Sequence, residues 1–467
     1  MNIKDIEEFL KSRELDIRIT GSARFIDQKC TPDVLSTIAE CIQNYQGDTF
    51  CATDIWQSKF AADTVTRFFN KPETSNVKTS NEYDKFFGQP IKTLEYAGVI
   101  ELVPNHSGRS HYYKIVQPLI LNRIAVSDRK AFDFIIVYLN EVLRQSGILH
   151  WFEDFLRKQD KDEYATLKHS FENFIIQYTP INKVTEVRRI FTKIINPLAV
   201  EKNKAGSRRG RFSKDNIRYD ELLYNRVNFR DFDKPKDMPR AVFLEQQPQL
   251  IEQATYSVDK AKRQVKRYQG TNSEIHPNLY GEANHAHHIF PQNSHLELSD
   301  TLENLVVLTA TEHFEFAHIK SSTSEVGRGY QMVCLLCKIE SLKKSIIVKD
   351  DDFYSIDSFI NTLEIGLNTK FLFNKYYNKE AFLDAIGCSV VSYYLKNYCN
   401  THYRIKPEDL RDVILSLSNS QDLILSDRLK YKINSTFGGR IVGDKQIGVH
   451  HTLNIVAQTA MKEINLV

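Results

Sequence analysis

The chain has 467 residues, 42% hydrophobic and 26% charged, with a formal net charge of +3. This composition excludes a disordered or fibrous chain, and the near-neutral balance means that affinity for nucleic acid has to come from local patches. No apolar stretch approaches the ~18–20 residues that cross a bilayer, the start MNIKDIEEFLKSR is no signal peptide, and seven scattered cysteines, an odd number, fit a reducing compartment. A cytoplasmic protein without membrane contact is expected.

The length admits two to four domains. The patterns divide the chain into 1–130, 131–250, 251–330 and 331–467, an α+β protein that is predominantly helical. In the first segment Thr31-Pro32-Asp33 reads as an N-cap, a first-turn proline and a first-turn acid, so a helix is predicted from there to about Asn44. A second helix is predicted over Thr53–Phe69. A third, Ser80–Ala97, carries Gly88 and Pro90, which should kink or split it. Gly98–Val103 and His111–Ile115 then pair as a hairpin across Asn105–Arg109. Helices followed by a hairpin predict a winged-helix-like N-terminal DNA-recognition module with Lys85, Lys92, Arg109 and Lys114 as contacts. A helical scaffold with an incidental hairpin is the alternative.

The second segment is helical and apolar on one face, as in Phe132-Asp-Phe-Ile-Ile-Val-Tyr-Leu, and Asn196-Pro197 should end it. From Lys183 to Arg218 there are 11 basic and 3 acidic residues, a balance of +8. Its centre, with Arg208, Arg209, Arg211 and Lys214, is glycine-flanked and reads as a flexible loop that lies along phosphates, or as a solvated linker. Lys260–Tyr268 reads as a basic helix stopped by Gly270. Lys262, Arg263, Lys266 and Arg267 there would grip a DNA backbone, or form a solvated helix face.

The third segment carries the sharpest signal. His287-His288-Ile-Phe-Pro is followed by Asn304-Leu-Val-Val-Leu-Thr, then by His313 and His318. Ala286–Phe290 is predicted as a strand ended by Pro291, and Leu305–Leu308 as a second strand. Thr309 with Glu312 forms a capping box that starts a helix at Ala310. Neighbours on a strand face opposite ways. His287 is therefore assigned to a metal shared with His313, and His288 to the general base, with the Asn304 side-chain carbonyl holding the His288 ring. Imidazoles converging from a strand and a helix can seat one divalent ion beside one base, which is what phosphodiester hydrolysis needs. His318, five residues after His313, would sit about 140° around an α-helix, a poor place to share that ion unless a local bulge turns it back, so it stands as a weak further metal-ligand candidate. His285 and His295 read as background among the 14 histidines.

These residues resemble the HNH, or ββα-metal, nuclease motif: the His-His-Ile-x-Pro opening and the nine-residue interval from Asn304 to His313 both match. The resemblance implies His287 and His313 as metal ligands, His288 as general base, Asn304 as its orienter, and one divalent ion. That ion is Mg2+ by resemblance, with Mn2+, Ni2+ or Zn2+ tolerated by imidazoles. Over more of the chain, Arg24-Phe-Ile-Asp-Gln-Lys-Cys-Thr-Pro-Asp-Val-Leu, Glu82-Tyr-Asp-Lys-Phe-Phe and the histidine block resemble bacterial HNH-type type II restriction endonucleases. This implies a sequence-specific double-stranded DNA endonuclease leaving 5′-phosphate and 3′-hydroxyl ends. It further implies a homodimer, and a cognate DNA methyltransferase as genetic partner. A DNA-binding regulator or defence sensor with a non-cutting HNH fold, and a homing or mobile-element nuclease, are the alternatives. Asp16 and Asp27-Gln28-Lys29 loosely resemble carboxylate-x-lysine nucleases, on strings short enough to arise by chance. The last segment returns to aromatic-rich helices. Its lone Cys334-x-x-Cys337 has no second pair, so no structural zinc is expected, and His450-His451 lacks the asparagine and capped helix of the motif.

Overall fold

The computed structural model describes residues 1–69, 71–74, 80–104, 110–224, 248–275, 281–317, 328–371 and 378–399. The chain is α+β and predominantly helical, with three two-stranded antiparallel sheets among the described residues. It forms two compact units, Met1–Tyr256 and Ser257–Val467. No described helix is long and apolar enough to cross a membrane.

The first unit opens with α1 (Ile3–Lys11), where Asn2 and Asp5 cap each other's backbone, and the short α2 (Ile17–Thr20). Helix α3 (Pro32–Asn44) starts at the proline, as its sequence predicts, and is buried along nearly its whole length. Asp33 in its first turn accepts from Tyr224 N at 2.9 Å. The stretch predicted as one helix over 53–69 is two, α4 (Ala52–Gln57) and α5 (Lys59–Phe69), because Ser58 between them is extended. Helix α6 (Ser80–Tyr96) behaves in the opposite way. It carries Pro90 in its interior and remains one element, although an interior proline costs about 3 kcal/mol. Buried Phe86, Phe87, Ile91 and Leu94 hold both halves to the core. The expected hairpin comes next as β1 (Ile100–Leu102) and β2 (Tyr113–Ile115), with Glu101 opposite Lys114, and Phe50 bridges to Tyr113 on the far side. Arg109 lies outside the described residues.

Five helices succeed it: α7 (Pro118–Val126), α8 (Asp128–Gln145), α9 (Leu149–Lys158), α10 (Lys161–Tyr178) and α11 (Val184–Glu201). Helix α11 runs through Pro197 instead of ending there, since Ile194, Ile195, Pro197, Leu198 and Ala199 are all buried and anchor the turn. One apolar core holds residues from Ile6 to Leu222, and α3 and α8 share it. The basic stretch is not a flexible loop either. It is a hairpin, β3 (Ala205–Arg208) and β4 (Arg211–Asn216), joined by Arg209 and Gly210.

The boundary between the units falls within α12 (Pro248–Gln269), whose last residue precedes Gly270 in the left-handed region. The second unit is built on β5 (Ala283–His288) paired with β6 (Leu305–Thr309), His287 opposite Val306 and His288 opposite Leu305. On the far edge of β6, Glu274 N donates to Val307 O at 3.0 Å, and its carboxylate accepts from Val307 N at 2.9 Å. Next comes α13 (Arg328–Lys343), whose Lys338 pairs with Glu274 at 2.6 Å, both side chains almost fully buried. Cys334 and Cys337 lie on the same helix as buried free thiols, and burial pushes both thiol pKa values up. Helices α14 (Ile356–Gly366) and α15 (Lys379–Cys399) complete the described part. Gln331 on α13 donates to Ile289 O at 2.8 Å and accepts from Tyr394 OH of α15 at 2.9 Å, tying the segment after β5 to these helices. His450 and His451 lie outside the described residues.

Candidate active site

Strand β5 spans 283–288, earlier than the predicted 286–290, so all three of its histidines lie within the strand, in continuous register with β6 from His285 onward. Alternation sends His285 and His287 one way and His288 the other. The ββ pair then leads through Thr309 into the third element. Thr309 N donates to Glu312 Oε2 at 2.7 Å and Glu312 N to Thr309 Oγ1 at 3.2 Å, the capping box expected from the sequence. Ser273 Oγ adds a bond to Glu312 Oε1 at 2.8 Å. The capped element is a π-helix, Glu312–Ala317, where an α-helix was expected. Its bonds run to the fifth residue, and such wide turns concentrate at functional sites. His318 lies outside the described residues.

His287, 3% exposed, faces His313: their ring centres are 5.4 Å apart with planes at 77°. Two imidazoles bonded to one ion at about 2.1 Å put their ring centres about 5 Å apart. The separation of the pair is one at which both rings could ligate a single divalent ion. Among the described residues no group of three or more His, Cys, Asp or Glu side chains is set to hold an ion. His285, which reads as background in the sequence, is nonetheless here: its ring stacks on His313 at 5.1 Å and 19°. The two near-parallel rings pack against one another, which makes His285 an immediate neighbour of His313. The period-two spacing from His287 is the signal in the sequence that could have found it.

His288 points to the other face and is 9% exposed. Its Nε2 lies 2.8 Å from Ser299 O. A carbonyl only accepts, so Nε2 carries the proton and Nδ1 keeps its lone pair. Burial lowers the His288 pKa; the Ser299 bond opposes this and the positive charge of Lys262 adds to it. The ring is thereby kept in the neutral form that a proton acceptor needs.

Asn304 corrects the sequence reading. Its side chain accepts from Phe290 N at 2.8 Å and donates to Phe290 O at 3.1 Å and Leu298 O at 3.0 Å, so it grips backbone and not the His288 ring. Leu298 immediately precedes Ser299, whose carbonyl holds His288. Asn304 thus holds the loop that carries the hydrogen-bond partner of His288.

The expected DNA contacts within the described residues are spread over α12, the β3–β4 hairpin, α6 and β2. On α12, Lys262, Arg263 and Lys266 are half-buried and Arg267 is exposed. On the β3–β4 hairpin, Arg209, Arg211 and Lys214 are exposed. Arg208 is bound through Nε and Nη2 to Glu221 at 2.8 and 2.7 Å. Lys85 and Lys92 are exposed on α6, two turns apart, and Lys114 pairs with Glu101 at 3.3 Å. Asp16 is tied to Arg18, Asp27 to Arg24 and Lys29 to Glu82, which makes ion pairs of the carboxylate-x-lysine strings.

Comparison with protein-family models, with curated proteins and with solved structures gives no match to this chain.

Proposed function

We propose that this chain is a metal-dependent double-stranded DNA endonuclease of the HNH kind, acting at a specific sequence as type II restriction enzymes do. The observation that carries the reading is the β5–β6–π-helix arrangement with His287 facing His313 on one side and a neutral, oriented His288 on the other.

In this reading His288 Nδ1 takes the proton from the attacking water, while Ser299 O holds the opposite edge of the ring. Asn304 keeps that carbonyl in place, and the His285 ring steadies His313. His287 and His313 hold the divalent ion, Mg2+ by resemblance, which when bound would offset negative charge developing on the phosphate and the leaving 3′ oxygen. The basic residues of α12 and of the β3–β4 hairpin, with Lys85 and Lys92, supply phosphate contacts in a chain of nearly balanced charge. Helices α3–α6 with the β1–β2 hairpin and the Phe50 bridge have the order of a winged helix, which supports a DNA-recognition role for this region. The resemblance adds a homodimer on a palindromic site and a cognate methyltransferase.

Digestion of mapped plasmid DNA with Mg2+ or Mn2+ tests the proposal. Discrete fragments with 5′-phosphate and 3′-hydroxyl ends are expected, and chelation should abolish them. His288→Ala should bind DNA as the parent does and cut it about 10²–10⁴-fold more slowly. Full cleavage by that variant would remove His288 from the mechanism. Binding without cleavage by the parent protein would leave the non-cutting regulator.

A further inference from the structure

The β3–β4 hairpin closes through two residues. Arg208 and Arg211 are partners, and Arg209 (φ 54°) and Gly210 (φ 76°) both take positive φ. That is the type I′ turn, whose twist matches its strands and whose central positions favour Asn-Gly. Gly210 meets the requirement freely. Arg209 does not, since a side chain in the left-handed region is strained, and arginine is too long for the local backbone bond by which Asn or Asp eases that strain. The chain therefore keeps a guanidinium at the turn position where arginine is conformationally disfavoured. Exposed Arg211 lies beside it, and Lys168 Nζ donates to Gly210 O at 2.9 Å.

Beneath this tip the hairpin is bolted to helices. Asn196 of α11 accepts from Ser207 N at 2.7 Å and donates to Ser207 O at 2.9 Å. Gln159, which ends α9, does the same for Ala205, at 2.8 and 3.2 Å. Tyr164 OH meets Ser207 Oγ at 2.8 Å. The outer edge of β3 is thus satisfied by amide side chains that point it in one direction. Gly206 allows the close approach: a Cβ there would lie 2.8 Å from Asn196 Oδ1 and 3.2 Å from Ala199 Cβ. Arg208 is part of this frame through Glu221, and exposed Arg209 and Arg211 stand at the tip.

We propose that the tip is a rigid two-arginine probe for duplex DNA, with Arg209 and Arg211 forking onto phosphates at the edge of a groove. A two-stranded ribbon fits the major groove, and guanidinium forks match phosphate oxygens. The proposal rests on the reading that duplex DNA is the substrate. It replaces a loop that orders on binding with a preformed element.

The test is fluorescence anisotropy of the full chain on a short labelled duplex of mixed sequence, with chelator present and salt varied, alongside thermal melting. Arg209→Asn installs the preferred Asn-Gly turn, so its Tm should equal or exceed that of the parent. Its affinity should fall about 3–10-fold, with the log K against log salt slope smaller by about 1. Arg211→Gln should behave alike in binding. Lys4→Gln, which removes a charge from α1, should leave affinity and slope as in the parent. Unchanged affinity and slope in Arg209→Asn would overturn the proposal, as would a lowered Tm, because the turn would then not be the strained one described. A parent chain that fails to bind duplex at low salt would overturn the DNA reading itself and this proposal with it.

Discussion

Asn304 shows how one buried side chain can act on a neighbour it does not touch. Its three bonds to Phe290 and Leu298 fix the segment that presents Ser299 O to His288. Removing them in Asn304→Ala should cost about 2–4 kcal/mol, since buried backbone groups lose their partners. Asn304→Asp should fail as well, because a carboxylate can accept from Phe290 N but has no proton for the two carbonyls. The decisive reading is the His288 Nε2–H proton in the NMR spectrum, slow to exchange in the parent and fast in Asn304→Ala. Continued protection in the variant would sever the link between the two residues. His285 invites a parallel experiment on its stack with His313. By calorimetric titration with Mn2+, His285→Ala should bind the ion roughly tenfold more weakly, as loss of a supporting group does elsewhere, and His285→Phe should bind it as the parent does. Loss of binding in the Phe variant would make His285 a ligand instead of a support.

At the scale of elements, the β3–β4 hairpin yields a pH prediction. The Glu221 carboxyl is held below its ordinary value, chiefly by the side-chain bonds from Arg208. A carboxyl whose pKa is depressed by folding stabilises the fold above its unfolded pKa, and that contribution is lost as pH falls through the folded one. Glu221→Gln should therefore cost on the order of 1 kcal/mol at neutral pH, with the difference from the parent shrinking as the pH drops below the ordinary value of 4.5. A pH-independent difference in urea unfolding would exclude the ion pair as the cause. This hairpin also marks where the sequence stops being readable. The start of α3 and the Thr309–Glu312 box are set by residues within a few positions of one another, and the β1–β2 pairing by two β-prone runs on either side of a polar turn, and each is legible. The β3–β4 pairing is backed by Asn196 and Tyr164 at Ser207 and by Gln159 at Ala205, side chains that no local window joins to the hairpin, so a glycine-flanked basic stretch looks like a loop. Pro197 inside α11 and the break at Ser58 are likewise decided by burial in the shared core. The His287–His313 approach can be foreseen from spacing. The period-two spacing from His287 puts His285 on the same face, but its stack on His313 also depends on how the rings settle across β5, whose register shifts between Ala283 and His285.

For the molecule as a whole, the two units differ in how they are held. The first has a continuous apolar core from Ile6 to Leu222. The second adds a buried ion pair to its core of Val306, Leu308, Leu335, Ile339 and Leu363. Lys338 Nζ reaches Glu274 Oε2 and, at 3.0 Å, Tyr354 OH, while Ser341 Oγ donates to the same carboxylate. Glu274 in turn holds Val307 of β6. Lys338→Met would leave that carboxylate buried without its cation, a change that costs about 3–5 kcal/mol. Because the pair ties α13 to the strand leading into Glu312 and His313, the damage should first be felt around the candidate site. Hydrogen exchange read by mass spectrometry can locate it. Amides of β5, β6 and α13 should exchange faster in Lys338→Met, and those of α3, α8 and α11 should keep their parental rates. Uniform acceleration along the whole chain would mean that the two cores unfold as one cooperative body. Unchanged exchange in β6 would mean that Glu274 does not carry the load from α13 to the site.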